Sequence, residues 1–131
     1  MNRTDAFSKY GAKLKNFVWS VAAENKDGEL VLSLWKHYFK AGKGVITYVD
    51  HVSRWSGPGN TEFRAYLDSA YKQSQKIRVV IGRTSDEGAL SRGVDAHTLE
   101  NTFHVRKDWI GKVTVWDGEN YEIEFKSRTA S

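Results

Sequence analysis

The sequence has no cysteine, one proline and one methionine among its 131 residues. The lack of cysteine excludes disulfides, a thiol nucleophile and cysteine-ligated zinc, and it favours a reducing, cytoplasmic location. No apolar run approaches the roughly 20 residues of a membrane-spanning helix. The first ten residues, MNRTDAFSKY, have no signal-peptide core. We therefore expect a cytoplasmic protein that has no membrane partner.

Segments that would divide the chain into domains are also scarce. The single proline is Pro58, and no Gly/Ser-rich linker, internal repeat or low-complexity tract interrupts the sequence. A length of 131 residues is typical of one domain, and 40% hydrophobic residues are enough for a real core. The sequence predicts a single domain over residues 1–131.

The charge is basic, with a formal net charge of +4, and it is unevenly placed. Residues 1–43 contain eight basic and four acidic side chains, whereas residues 44–131 contain twelve of each. A basic N-terminal third favours a polyanion partner, because neutralising phosphates releases their counterions. A solubilising surface explains the same composition equally well. The candidate phosphate contacts are Lys13, Lys15, Lys36, Lys40 and Lys43.

Hydrophobic periodicity predicts an α+β fold. A strand-like alternation covers residues 17–24, 30–35, 45–51, 77–82, 102–107, 112–117 and 120–126. A helix is predicted over residues 61–74, because Phe63, Tyr66, Leu67, Ala70 and Tyr71 form one apolar stripe, and Asn60 or Thr61 is expected to cap it. Residues 83–100 lack a period and are expected to form a long loop, or a short helix inside one. This order indicates a curved, mixed or antiparallel, pseudo-barrel-like sheet of six to seven strands with one main helix packed on it.

Aromatic residues provide the first candidate site. Five tryptophans are present, with Trp19 and Trp35 on the first predicted hairpin and Trp55 in the loop SRWSGPGN. Aromatic rings interleaved with cations suit stacking on an unpaired base, but Trp19 and Trp35 are better explained as cross-strand core residues. Trp55 either contacts a ligand or anchors its loop, and Arg54 beside it offers donors to a phosphate or a guanine.

Sequence motifs for other chemistry are weak. The run GPGN before the helix presents free N–H groups to an anion, but it lacks the spacing of a nucleotide-triphosphate loop. The histidines, His37, His51, His97 and His104, have no metal-ligand spacing, so we expect neither a metal nor a cofactor. Asp108 or Asp117 followed by Glu124 and Lys126 fits the carboxylate and lysine pattern of PD-(D/E)xK nucleases, although an amphipathic hairpin gives the same alternation.

Two stretches carry a resemblance that spans most of the chain. NFVWSVAAENKDGELVLSLWKHYF and VRKDWIGKVTVWDGENYEIEF resemble modules found beside HNH nucleases and in uncharacterised proteins of bacterial mobile DNA. Their strand-rich plan is similar to PUA-like and SRA-like pseudo-barrels, and this resemblance implies binding of modified or flipped bases. The histidine–asparagine–histidine element of HNH enzymes is missing, so nuclease activity is not implied.

These observations lead us to expect a non-enzymatic nucleic-acid-binding module, with DNA favoured, from a bacterial defence or mobile-element protein. The five lysines would meet phosphates, while Arg54 and Trp55 would contact a base or the groove edge. The alternatives are a protein-interaction or homo-oligomeric module whose exposed aromatics form an interface, and a metal-dependent nuclease that uses Asp117, Glu124 and Lys126.

Overall fold

A computed structural model describes residues 1–94, 96 and 99–127 of the chain. Eight strands form one mixed sheet: β1 (Ala22–Glu24), β2 (Leu30–Trp35), β3 (Phe39–Ala41), β4 (Ile46–His51), β5 (Ile77–Thr84), β6 (Asn101–Val105), β7 (Trp109–Trp116) and β8 (Asn120–Ser127). The strand order is β1-β2-β5-β7-β8-β4-β3, and β6 also pairs with β5. The sheet is open, and β1 and β3 are its end strands.

Helical segments accompany the sheet in the described part of the chain. The helices are α1 (Arg3–Ser8), α2 (Pro58–Gln73) and α3 (Glu87–Ser91), and the 3-10 turns cover Lys36–Tyr38 and Val52–Arg54. The predicted α+β class with one main helix is therefore confirmed. None of the described helices is long and apolar enough to cross a membrane.

The centre of the sheet explains why it bends. Strands β2 and β5 are parallel, while one edge of β5 pairs with β6 at its C-terminal half and with β7 at Ile77. Because β6 and β7 are separated by only three residues, they behave as one interrupted strand whose second half leaves β5 and pairs with β8. The interruption separates a β1-β2-β5-β6 half from a β7-β8-β4-β3 half.

Two hydrophobic cores lie on opposite faces of the first half of the sheet. Leu30, Leu32 and Leu34 of β2 belong to the main core beneath α2. Val31 points to a second core, formed with Phe7 and other residues of the N-terminal segment. This alternation places a buried strand between two layers, and it explains why the first residues fold back onto the sheet.

Helix α2 begins earlier than predicted. Pro58 occupies its first turn and Gly57, with φ of 110°, is the N-cap. Proline suits this position because it needs no intrahelical hydrogen-bond partner for an N–H, so the expected caps are wrong. Asn60 is instead buried inside the first turn, and its amide donates to the Val52 carbonyl.

Other elements also have boundaries that differ from the predicted ones. Strand β1 covers only three of the eight predicted residues, because residues 16–20 form a turn and Phe17 is 77% exposed. The short strand β3 lies outside the predicted strands. Strand β5 continues through Thr84, and α3 is the short helix expected within residues 83–100.

Candidate functional site

A small aromatic pocket, hereafter the aromatic pocket, lies between the main helix, the sheet and α3. Its volume is about 60 Å³, which is room for a few water molecules. Its walls include one tryptophan from β2, one from the loop before α2, and three further rings from β4, α2 and β8. These five aromatic residues are Trp35, Trp55, Tyr48, Phe63 and Tyr121.

Four of the five rings form a continuous chain of contacts. The Trp55 and Phe63 centroids are 5.9 Å apart in an edge-on arrangement. Phe63 lies 5.5 Å from Tyr121, and Tyr121 stacks 6.1 Å from Tyr48. Such ring pairs stabilise one another beyond the area they bury, so the wall is held in place by residues from α2, β8 and β4.

The Trp35 ring depends on a glycine in the neighbouring strand. A Cβ on Gly82 would lie 2.9 Å from the Trp35 ring and 3.1 Å from Phe103, closer than side chains tolerate. Glycine at this point of β5 therefore lets a tryptophan at the end of β2 lie flat across the sheet. Ser33, two residues earlier in β2, also lines the pocket.

The charged wall of the pocket is a buried ion pair. The Arg54 guanidinium binds both oxygens of Asp50 through Nε, and its Nη2 lies 2.8 Å from Oδ2. The two side chains are 7% and 3% exposed. Burial lowers the pKa of Arg54, but the hydrogen bond and charge of Asp50 raise it more, so its net pKa is above the ordinary value.

Tyrosine hydroxyls complete this polar wall. The Tyr121 hydroxyl donates to Asp50 at 3.3 Å, and the Tyr48 hydroxyl accepts from the Trp35 amide at 3.3 Å. Burial raises the pKa of both phenols well above the ordinary value, so both remain neutral. A neutral tyrosine offers a donor as well as an acceptor.

Helix α3 covers one side of the pocket. Its Leu90 lines the cavity, and the Leu90 carbonyl accepts from Arg54 at 3.4 Å. Ser91 and the Tyr38 hydroxyl are 2.7 Å apart. These are the polar contacts that join α3 to the rest of the pocket in the described part of the chain, and the buried side chains of Ala89 and Leu90 add apolar packing.

Trp55 faces inward from its loop. It packs on Phe63, and its indole Nε1 is buried with no hydrogen-bond partner among the described residues. Arg54 is buried against Asp50, so the loop does not display the Arg54 side chain to solvent. Both residues nevertheless line the aromatic pocket.

With this geometry established, comparison of the chain with protein-family models, curated proteins and solved structures finds no match.

The five candidate lysines are exposed, and none forms an ion pair within the described residues. Lys36 directly follows the pocket residue Trp35, while Lys40 and Lys43 lie on β3 and the turn after it. Lys13 and Lys15 lie on the N-terminal side, where the Lys15 ammonium is 5.8 Å from the Tyr66 ring of α2. Lys36 is thus next to the pocket in sequence, and the others surround the fold on different elements.

The carboxylates proposed for a nuclease do not converge. Asp117 accepts two backbone hydrogen bonds within the β7–β8 turn, and the bonds from Asn120 and Glu119 lower its pKa. Glu124 pairs with Lys112 in the sheet. Lys112 is five residues from Asp117, so the two acids are roughly 16 Å apart along the strand.

No group of three metal-ligating side chains occurs among residues 1–94, 96 and 99–127. Asp108 is bound by Arg106 and Ser127, and hydrogen bonding to Arg106 lowers its pKa to about 2. His97 lies outside the described residues. The exposed trio His51, Ser53 and Glu119 is not a catalytic triad, because the serine hydroxyl donates to the carboxylate rather than to the imidazole.

Sequence reasoning did not identify every residue of the site. Phe63 and Tyr121 were assigned to a helix stripe and a strand, and the charge on Asp50 was overlooked. The sequence did contain a signal for the buried carboxylate. Tyr48, Asp50 and Val52 occupy every second position along β4 and the turn after it, and all three face the interior. A carboxylate in that register needs a buried partner, and Arg54 is four residues away.

Proposed function

We propose that this protein is a non-enzymatic DNA-binding module that holds one unpaired base in the aromatic pocket. The observation that carries the proposal is the wall of five aromatic rings with a guanidinium set into it. Stacking on a ring contributes about 1–3 kcal/mol per base. A flat heterocycle is the ligand that makes use of ring faces and hydrogen-bond donors together.

The polar groups favour a base over a cationic ligand. Aromatic cages also bind quaternary ammonium groups, but the Asp50 carboxylate is already neutralised by Arg54, so this wall offers a cation no uncompensated negative charge. Two of the five guanidinium N–H groups remain after Asp50 and Leu90 are satisfied. The Trp55 indole N–H, which has no hydrogen-bond partner among the described residues, adds a donor, so the pocket suits the acceptor edge of a base.

Entry of a base requires more room than the cavity has. Helix α3 is the element that would give way, since it has five residues and, among the described residues, the Tyr38–Ser91 and Arg54–Leu90 hydrogen bonds are its polar contacts with the pocket. Extrusion of a base costs a few kcal/mol and is cheapest for an unpaired or mismatched nucleotide. We therefore expect single-stranded or mismatched DNA to bind more tightly than a matched duplex.

Phosphates would be met by the exposed lysines. Each neutralised phosphate makes the binding constant more sensitive to salt, with a slope of about 0.7 for a single strand and 0.9 for a duplex. A fluorescence anisotropy titration at several salt concentrations, with single-stranded, duplex and modified-base oligonucleotides, tests the proposal. Lys36→Ala and Lys40→Ala should each reduce the slope by about that amount.

Lys72→Ala is a matched control for this titration. Lys72 on α2 already forms an ion pair with Asp68, with Nζ 2.9 Å from Oδ2, so Lys72→Ala should leave the slope unchanged. Binding that does not vary with salt in the parent protein would contradict the DNA assignment. It would support the protein-interaction alternative.

That alternative has less support in the described residues. The exposed large aromatic side chains there are Phe17 and Tyr71, one in the 16–20 turn and one on α2. All five tryptophans are at least partly buried. A homo-oligomer built on exposed aromatics would need them in one patch, and size measurement in solution would reveal it.

A further inference from the structure

We propose that the turn of residues 16–20, with Phe17 and Val18 at its tip, is an apolar wedge that enters a DNA duplex and occupies the space left by the extruded base. This inference rests on the proposed function, and it assigns a partner surface outside the pocket. The side chains at the tip are unusually open for their type, since Phe17 is 77% and Val18 45% exposed.

The backbone of the wedge is held rigidly. The Asn16 side-chain oxygen accepts from the amides of Val18 and Trp19, and the buried Ser20 hydroxyl accepts from the Asn16 amide at 3.1 Å. The Ser20 amide donates back to the Asn16 carbonyl at 3.0 Å. A turn whose polar groups are satisfied internally can present apolar side chains without losing further ordering entropy on binding.

A cation is hydrogen-bonded to the backbone of the same turn. The Arg3 guanidinium donates to the Phe17 and Val18 carbonyls at 3.3 and 2.6 Å. The carbonyls are thereby paired, and a positive charge lies against the backbone of the tip. Lys13 and Lys15 precede Phe17 by four and two residues and are exposed. An apolar tip flanked by cations matches a gap between bases flanked by phosphates.

The turn is also joined to the aromatic pocket. The Trp19 carbonyl packs against Gly59 at the start of α2, so closely that a Cβ on Gly59 would collide with it. The same Cβ would lie 3.5 Å from the Trp55 ring. Val21, four residues after Phe17, lines the pocket, and four residues span at most about 14 Å. The tip and the pocket are therefore within reach of one duplex.

The groove beside the turn does not compete as the DNA site. Lys15, Trp19 and Tyr66 line it, but so do the carboxylates of Glu24 and Glu62, which would repel phosphates. We therefore assign the contact to the tip rather than to the groove. Apolar side chains that unstack a base step are a known means of kinking or opening DNA.

The test compares Phe17→Ala with the parent protein on two probes of the same sequence. One probe is single-stranded, and the other is a duplex with a central mismatch and 2-aminopurine at the mismatched position. The inference predicts that Phe17→Ala binds the duplex at least about fivefold more weakly, gives less 2-aminopurine emission, and binds the single strand as the parent does. Val115→Ala, which truncates an exposed valine of β7, is the matched control.

Each outcome is decisive. Equal losses on both probes, or no loss on the duplex, would overturn the wedge while leaving the pocket proposal intact. A parent that binds the single strand but not the duplex would also overturn the wedge. A parent that binds neither probe would overturn the proposed function and the wedge with it. Phe17→Leu, which keeps part of the apolar volume, should give an intermediate duplex affinity and an unchanged melting temperature.

Discussion

The Arg54 guanidinium and the Asp50 carboxylate form a two-point ion pair in the wall of the aromatic pocket. Nε lies 3.1 and 3.0 Å from the two carboxylate oxygens, and Nη2 lies 2.8 Å from Oδ2. The pair links the end of β4 to the turn that leads into α2. The ion pair therefore holds the loop that carries Trp55 against the end of β4.

Removing one charge of this pair should be costly. Asp50→Asn leaves the buried Arg54 cation uncompensated, and such changes cost about 3–5 kcal/mol of the free energy of unfolding. Urea unfolding of Asp50→Asn, Arg54→Met and the double variant measures the coupling. The double variant should be more stable than Asp50→Asn alone, and an additive loss would show that the two side chains are not coupled.

The main helix offers a second, independent test. Leu67 of α2 is fully buried, whereas Tyr71 of the same helix, predicted to face the sheet with it, is 42% exposed. Leu67→Ala should cost about 2–5 kcal/mol, as buried leucine truncations do. Tyr71→Ala should cost less than about 1 kcal/mol, so similar losses for the two variants would contradict the packing of α2.

The contrast between Leu67 and Tyr71 shows how far the sequence could predict the fold. The periods of β2, β5 and α2 were visible because local spacing sets which face is buried. The first strand was predicted to be too long, because the sequence around Phe17 alternates like a strand although the Phe17 side chain faces solvent. The Gly82 to Trp35 contact and the Arg54 to Asp50 pair depend on tertiary packing, so the pocket could not be assembled from local patterns.

Acid should destabilise the protein through two histidines. Burial, the largest cause in each, lowers the pKa of His37 and of His104 below the ordinary 6.5. Glu87 and Asp50 oppose the shift at His37, whereas Arg54 adds to it, and Arg83, Lys36 and Arg106 add to it at His104. The unfolded chain therefore binds protons more readily, and stability present above pH 6.5 is lost as the pH falls through the lowered pKa values.

Thermal unfolding at pH 7.5 and pH 5.5 checks this pH dependence. The parent protein should lose more melting temperature between these conditions than the variant His37→Gln/His104→Gln. Asp108, whose pKa is held at about 2 mainly by hydrogen bonding to Arg106, remains ionised throughout the window and does not contribute. Equal losses in parent and variant would show that other groups control the acid sensitivity.

The most direct test of the aromatic pocket compares two tryptophans in one titration. Trp55 and Trp116 are both partly buried and packed against the main core, but Trp116 lies outside the pocket and donates to Asp68 at 3.0 Å. Trp55→Ala and Trp116→Ala are titrated with a single-stranded oligonucleotide at low salt, at a temperature where circular dichroism shows both folded. The account predicts about 5- to 150-fold weaker binding for Trp55→Ala, the equivalent of about 1–3 kcal/mol, and parent-like binding for Trp116→Ala. Equal affinities for the two folded variants would contradict it.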